Sequence, residues 1–213
     1  MIIITGASSG LGKEIAKIYK ESGKTVINIS RRECEYADIN ICLSLREGGQ
    51  IKEVADNILK MSEPIEGIIN AIGVLSNEHF GEITENEIKR LMSTNVKAPM
   101  LLVSYLFERI QRDETDILNI ISRSGTQGRP DHPVYSASKW AERGYTKSLQ
   151  EKLKGTNSRV ISFCPGRIDT KFFEKAGTKI DTSNYMQPKD LAIFVKQILD
   201  LPKNIEVSEI ILK

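Results

Sequence analysis

Only three cysteines occur in 213 residues, Cys34, Cys42 and Cys164, and none stands at CxxC or metal-ligand spacing. That excludes a disulfide framework and a cysteine zinc site, and fits reduced, structural thiols. The two histidines, His79 and His132, lie far apart without helical pairing, so no metal site is expected and surface or structural roles suit both. No apolar run approaches the ~20 residues of a membrane span. The opening MIIITGASSG has no basic leader and reaches a glycine turn by Gly6. It reads as a strand rather than a signal peptide, and a cytoplasmic location is expected. An excess of one charge is also missing, since 30 basic against 28 acidic residues leave +2. Nothing draws the whole chain to nucleic acid or an anionic membrane, so any anion site must be local. There is no Pro/Gly/Ser linker, low-complexity segment or internal repeat. The length fits one domain over 1–213 with a large core.

Short apolar strands instead alternate with longer amphipathic stretches. Strands are expected at 1–5, 25–29, 67–70, 116–121, 159–163 and 206–212, with a further one ending at Asp38-Ile39. Helices are expected at 11–21, 50–61, 135–153 and 190–199, and two helical segments around Pro99 within 84–112. Repeated strand–helix–strand units imply an α/β fold. The sheet should be doubly wound and parallel, with right-handed crossovers and helices on both faces. Ligands of such sheets bind beyond the carboxyl ends of the strands, so what each strand delivers there matters most.

The first strand delivers TGASSGLG, with glycines at 6, 10 and 12 between a strand and a helix. Gly6 permits the tight turn, Gly10 lets a pyrophosphate near the backbone, and Gly12 lets the helix lie close to the sheet. The helix N-terminus faces the phosphates, Ser8 and Ser9 add hydroxyl donors, and Leu11 completes this cofactor-facing loop. The second strand ends in Ser30-Arg31-Arg32, where many dinucleotide sites carry an acidic residue for the adenosine ribose. Arginine pairs with a 2′-phosphate that a carboxylate would repel, so NADP(H) is favoured over NAD(H) through Arg31 and Arg32. Asp38 and Ile39 are expected to meet the adenine edge. Asn70 and Ala71 open NAIG, whose small residues allow backbone approach to the cofactor ribose. The strand at 159–163 leads into CPGRIDT, which brings Pro165, Gly166, Ile168 and Thr170 to the same edge.

VYSASK sets Tyr135 and Lys139 four apart with only small residues between them, on one face of a helix. A free phenol, with a pKa near ~10, is a poor acid–base group at neutral pH, and a nearby ammonium favours its ionised form. A second copy of the spacing, Tyr185 and Lys189 in YMQPK, contains Pro188 and reads as a loop before the last helix. Thirteen residues before Tyr135 stands Ser122; thirteen before Tyr185 stands Phe172, which has no hydroxyl.

These pieces, in this order, resemble the short-chain dehydrogenase/reductase family. TGASSGLG is similar to its TGxxxGxG loop, NAIG to its NNAG element, STNVKAP to its helix-borne asparagine, VYSASK to its YxxxK, and PGRIDT to its PGxxxT. The resemblance covers nearly the whole chain and implies a single Rossmann-like domain. It implies an oxidoreductase that interconverts a carbonyl and an alcohol by hydride transfer. Tyr135 is then acid/base, Ser122 holds the carbonyl oxygen, and Lys139 binds the nicotinamide ribose. Asn95 holds a water connecting Lys139 to solvent. The family's substrate-covering loop falls in 171–187, which is brief here. A homodimer or homotetramer is implied through the helices of 84–112 and 135–153, where Leu101, Leu102, Leu106 and Leu149 exceed what one core face needs. Trp140 is expected to pack, and Arg123 and Arg167 to flank the edge in solvent. A non-catalytic cofactor sensor on the same fold remains the other reading. The intact serine, tyrosine and lysine favour chemistry, because a sensor needs only the glycine loop.

Overall fold

Ile2–Thr5 is apolar up to its last residue, as a strand covered on both faces requires. It forms β1, near the middle of a seven-stranded, wholly parallel sheet. The computed structural model describes residues 1–46, 48–177 and 181–213. The remaining strands are β2 (Val26–Ser30), β3 (Ile39–Cys42), β4 (Gly67–Asn70), β5 (Asp116–Ile120), β6 (Val160–Cys164) and β7 (Glu209–Ile211). Their spatial order is β3-β2-β1-β4-β5-β6-β7. Winding reverses between β1 and β4, so a crevice opens there at the carboxyl edge.

Helices cover both faces. Against one lie α2 (Gly48–Leu59), α4 (Ala98–Tyr105), α5 (Phe107–Arg112) and α6 (Pro133–Leu153), which pack Ile51, Val54, Leu102, Ile110 and Leu149 onto β1, β4 and β5. Against the other lie α1 (Gly10–Glu21) and α7 (Pro188–Leu199), through Ile15, Ala16, Leu191 and Val195. The short α3 (Glu85–Leu91) runs into a π-helical turn, Met92–Lys97, before α4. The irregularity expected around Pro99 thus falls just ahead of it. Pro99 itself sits in the first turn of α4, directly after the π-helical turn, so its missing N–H falls where the regular helical bonding is interrupted.

Three expectations are corrected. Asp38-Ile39 is the start of β3, not its end. Asp38 accepts a hydrogen bond from the Val26 backbone and pairs with Lys20, at the edge opposite the crevice. Leu102, Leu106 and Leu149 are spent on the chain's own core, with Leu101 partly buried beside them. The helix of YMQPK begins at Pro188, so Lys189 lies in the first turn of α7 while Tyr185 stays in the loop. Within 171–187, residues 178–180 lie outside the described residues.

Candidate active site

The crevice is a cavity of about 1130 Å³ running along the carboxyl edge from the end of β2 past β5 and β6. At its floor, Gly6 turns with φ +80°, a conformation glycine adopts without strain. A Cβ on Gly12 would stand 2.7 Å from the Gly6 carbonyl, so only glycine lets α1 start this close to β1. Ser9 caps α1 without using its hydroxyl on the helix, which leaves the first N–H groups of α1 facing the cavity. Gly6, Ser8, Ser9, Gly10, Leu11 and Gly12 all line it, as do Arg31, Arg32, Ala71, Pro165, Gly166, Ile168 and Thr170.

The loop after β2 is shaped by its own polar groups. Ser30 and Asn28 both donate to the Arg32 carbonyl, at 2.6 and 2.9 Å. Both arginine side chains are exposed, and neither has a carboxylate partner among the described residues. Across the cavity, the segment after β6 ends in a short turn, Glu174–Ala176, whose Lys175 donates to the Ser9 hydroxyl at 2.9 Å. Burial, then Arg32, Arg31 and Lys171, hold the Lys175 ammonium below its ordinary pKa. Four cations therefore crowd one rim of the cavity. No sequence pattern marked Lys175, which reaches the glycine loop across 166 residues.

Tyr135 opens into the same cavity from the first turn of α6, and Lys139 lies one turn along. Both are buried, at 8% and 2% exposure. Lys139 Nζ donates to the Ile120 carbonyl at 3.1 Å and sits 5.9 Å from the centre of the Tyr135 ring. Ser122 follows β5 with φ 144°, strained for a residue bearing a side chain, and its hydroxyl accepts from the Ser124 N–H. Burial pushes the Tyr135 phenol above its ordinary pKa, while Lys139 and a hydrogen bond with Ser122 pull the other way. Burial pulls the Lys139 ammonium down in pKa, but the Glu142 carboxylate together with Tyr135 holds it above its usual value. Glu142 is the residue that motif reading missed. Its signal was an acidic side chain three positions after Lys139, on the face that α6 buries.

One site expectation is corrected. The Asn70 side chain is buried and bonds Asn119 and Thr5, leaving Ala71, Ile72 and Gly73 to face the cavity. The Asn95 side chain is buried and hydrogen-bonded. Its Nδ2 donates to the Val74 carbonyl and the Ser138 hydroxyl, and its Oδ1 accepts from the Val74 N–H. It does not line the cavity. Its side chain ties the π-helical turn to α6 and to the loop after β4.

His79 and His132 both line the cavity, with His132 Nδ1 2.8 Å from the Ser76 carbonyl. Arg123 and Arg167 line it too, one bonded to Gln127 and the other over the Tyr185 ring. Trp140 does not pack inside but stands 47% exposed, with Arg143 against its ring. Cys34 and Cys164 are buried free thiols; Cys42 is free and exposed. Among the described residues no cluster of His, Cys, Asp and Glu could hold a metal ion, and no helix is long and apolar enough to cross a membrane.

A family model described as short chain dehydrogenase matches residues 1–181. The chain belongs to the short-chain dehydrogenase family. Among curated relatives of this chain, an L-xylulose reductase of Caenorhabditis elegans is 31% identical over 180 residues, covering 79% of this chain and 72% of that one. Among solved structures, a serine dehydrogenase complexed with NADP+ superposes with a TM-score of 0.87 at 23% identity, covering 100% of this chain and 94% of that one. An alcohol dehydrogenase of Thermococcus sibiricus, complexed with 5-hydroxy-NADP, also reaches 0.87 at 22% identity, with 99% and 95% covered. At these identities the structures bear on the fold.

Proposed function

We propose that this protein is an NADP(H)-dependent oxidoreductase that interconverts a carbonyl and an alcohol on a small molecule. The observation that carries the reading is the meeting of Tyr135, Lys139 and Ser122 on one cavity with the glycine loop of α1. The residues present fit a dinucleotide. Gly6 and Gly12 let α1 start close against the turn after β1, and the N–H groups at the start of α1 face the cavity. Arg31, Arg32 and Lys175 form an anion-seeking rim that suits a 2′-phosphate.

When bound, NADPH supplies a hydride to the carbonyl carbon. Tyr135 gives its phenolic proton to the carbonyl oxygen, so that oxygen leaves as a hydroxyl and Tyr135 is left as phenolate. Ser122 donates a hydrogen bond to the same oxygen and fixes which carbonyl face meets the cofactor. Lys139, held by the Ile120 carbonyl, keeps positive charge beside the phenol. Alcohol oxidation runs the same proton path backwards.

The test is an NADPH-oxidation screen across aldehydes, ketones, quinones, pteridines and hydroxy acids. The expected outcome is consumption with at least one class, and tighter binding of NADPH than of NADH. Arg31→Asp narrows or reverses that preference. Binding of NADPH without turnover of any carbonyl would favour the sensor reading instead, and equal affinity for both cofactors would remove the role of Arg31.

A further inference from the structure

Glu142 is a fully buried carboxylate that the proton path above does not use. It is 5% exposed and lies three residues after Lys139, on the inward face of α6. Its Oε2 stands 2.5 Å from Lys139 Nζ as an ion pair, and among the described residues that oxygen accepts no hydrogen bond. Lys139 donates instead to the Ile120 carbonyl, so its pairing with Glu142 is one of charge.

The other groups around this pair carry no net charge. From the end of β5 come the Ile120 carbonyl and the Ser122 hydroxyl. From the end of β6 comes Cys164, whose thiol burial pushes up, so it stays neutral. From the π-helical turn comes Asn95, bonded to Ser138. Gly125 packs so tightly that a Cβ would meet the Lys139 carbonyl at 2.8 Å, and it brings no charge. The next charged residue on α6, Arg143, is closed on Glu209 from β7 at 2.7 Å.

We propose that Glu142 is the built-in counter-ion of Lys139 and holds Tyr135 in its protonated form, so that the empty or NADPH-loaded site stands ready to donate a proton to a carbonyl. It is a positioning residue that acts through Lys139. The proposal rests on Tyr135 being the acid–base group.

The physical reason is charge count. Without Glu142 the phenol would ionise beside a bare cation, giving a neutral buried pair. With Glu142 the cation is already balanced, and an ionised phenol would leave one net negative charge among buried groups. The phenolate then gains support only when a further positive charge enters the cavity, as the oxidised nicotinamide ring would bring. Consistent with this, Glu142 opposes Lys139 in its effect on the phenol, and burial lifts the Glu142 carboxyl to about 7 despite its partner. Above that pH the carboxylate is charged and its restraint on Tyr135 is complete.

Tyrosinate absorbance of the cofactor-free protein reads the proposal without turnover. The difference between the parent and Tyr135→Phe isolates the titration of this one phenol. Its midpoint is expected above the ordinary tyrosine value in the parent. In a Glu142→Gln background it should fall by about one pH unit, and Glu142→Asp should restore it in part. The alkaline limb of kcat/KM for carbonyl reduction should move down in step. A midpoint that stays put or rises in folded Glu142→Gln overturns the proposal, a rise meaning that Lys139 has simply lost its proton. Should Glu142→Gln not fold, Glu142→Asp decides: its Tyr135 midpoint is expected below the parent's, and an unmoved midpoint overturns the proposal. Full turnover in Tyr135→Phe would remove the acid–base reading itself. An inactive Tyr135→Phe with an unshifted Glu142→Gln would remove only the role of Glu142.

Discussion

Ser122 shows what the chemistry requires of a single residue. Its φ of 144° and ψ of 158° lie where almost only glycine is found, a strain of about 1–3 kcal/mol for a residue with a Cβ. The strain aims a hydroxyl at Tyr135 from the end of β5. Two substitutions separate strain from function. Ser122→Ala and Ser122→Gly both delete the hydroxyl and should both slow turnover. Ser122→Gly should nonetheless be more stable than Ser122→Ala by about 1–2 kcal/mol in denaturant unfolding, because glycine relieves the backbone. Equal stability of the two variants would mean that the backbone there is unstrained. Tyr135 gives the pH prediction. Its pKa is raised, first by burial, so the proton-donating form persists upward in pH. Carbonyl reduction should therefore stay level through neutral pH and fall only above the ordinary tyrosine value near ~10. A pH–rate profile that already falls in the neutral range would contradict this.

At the scale of the elements, two buried arginines hold the sheet at the end opposite the site. Arg159 pairs with Asp116 at 2.8 Å and donates to the carbonyls of Leu199 and Leu201, closing the C-terminus of α7. Arg109 pairs with Asp113 and donates to the carbonyls of Met61 and Glu63, which follow α2. Each supplies positive charge where a helix exposes its last carbonyls. Arg159→Met should cost about 3–5 kcal/mol, since it leaves Asp116 buried with only Lys203 beside it. Unfolding in denaturant measures this, and a loss under 1 kcal/mol would show that Lys203 suffices. Neither arginine was legible in the sequence, because both reach carbonyls some forty residues away. Glycine turns, apolar strands and the spacing of Ser122, Tyr135 and Lys139 are local patterns, and the residues they mark line one cavity. The start of β3 was misread because Asp38 looks like a strand-end carboxylate. Only the pairing of Ile39 with Ile27 shows which end it occupies. Glu142 was hidden for another reason: an acidic residue on a helix is usually solvated, and burial of that face appears only when α6 docks.

The whole molecule divides its labour along the strand direction, with stability pairs at one edge of the sheet and the cavity at the other. Its outer helical faces carry Met100 and Tyr105 on α4 and Trp140 on α6, all exposed. These are the helices expected to pair copies of the chain, so sedimentation at micromolar concentration should give a dimer or tetramer mass. Trp140→Glu should lower that mass, and a monomer in the parent would contradict the expectation. The central claim is that the α6 tyrosine facing the glycine loop is the proton donor. The measurement that reaches it most directly is turnover of folded Tyr135→Phe on a carbonyl substrate found by the screen, with NADPH affinity measured on the same sample and Tyr185→Phe beside it. Tyr135→Phe should keep its fold and its NADPH affinity and lose about 10²–10⁴-fold in kcat, while Tyr185→Phe stays near the parent. Full activity in Tyr135→Phe, or its loss in a folded Tyr185→Phe, would place the chemistry elsewhere.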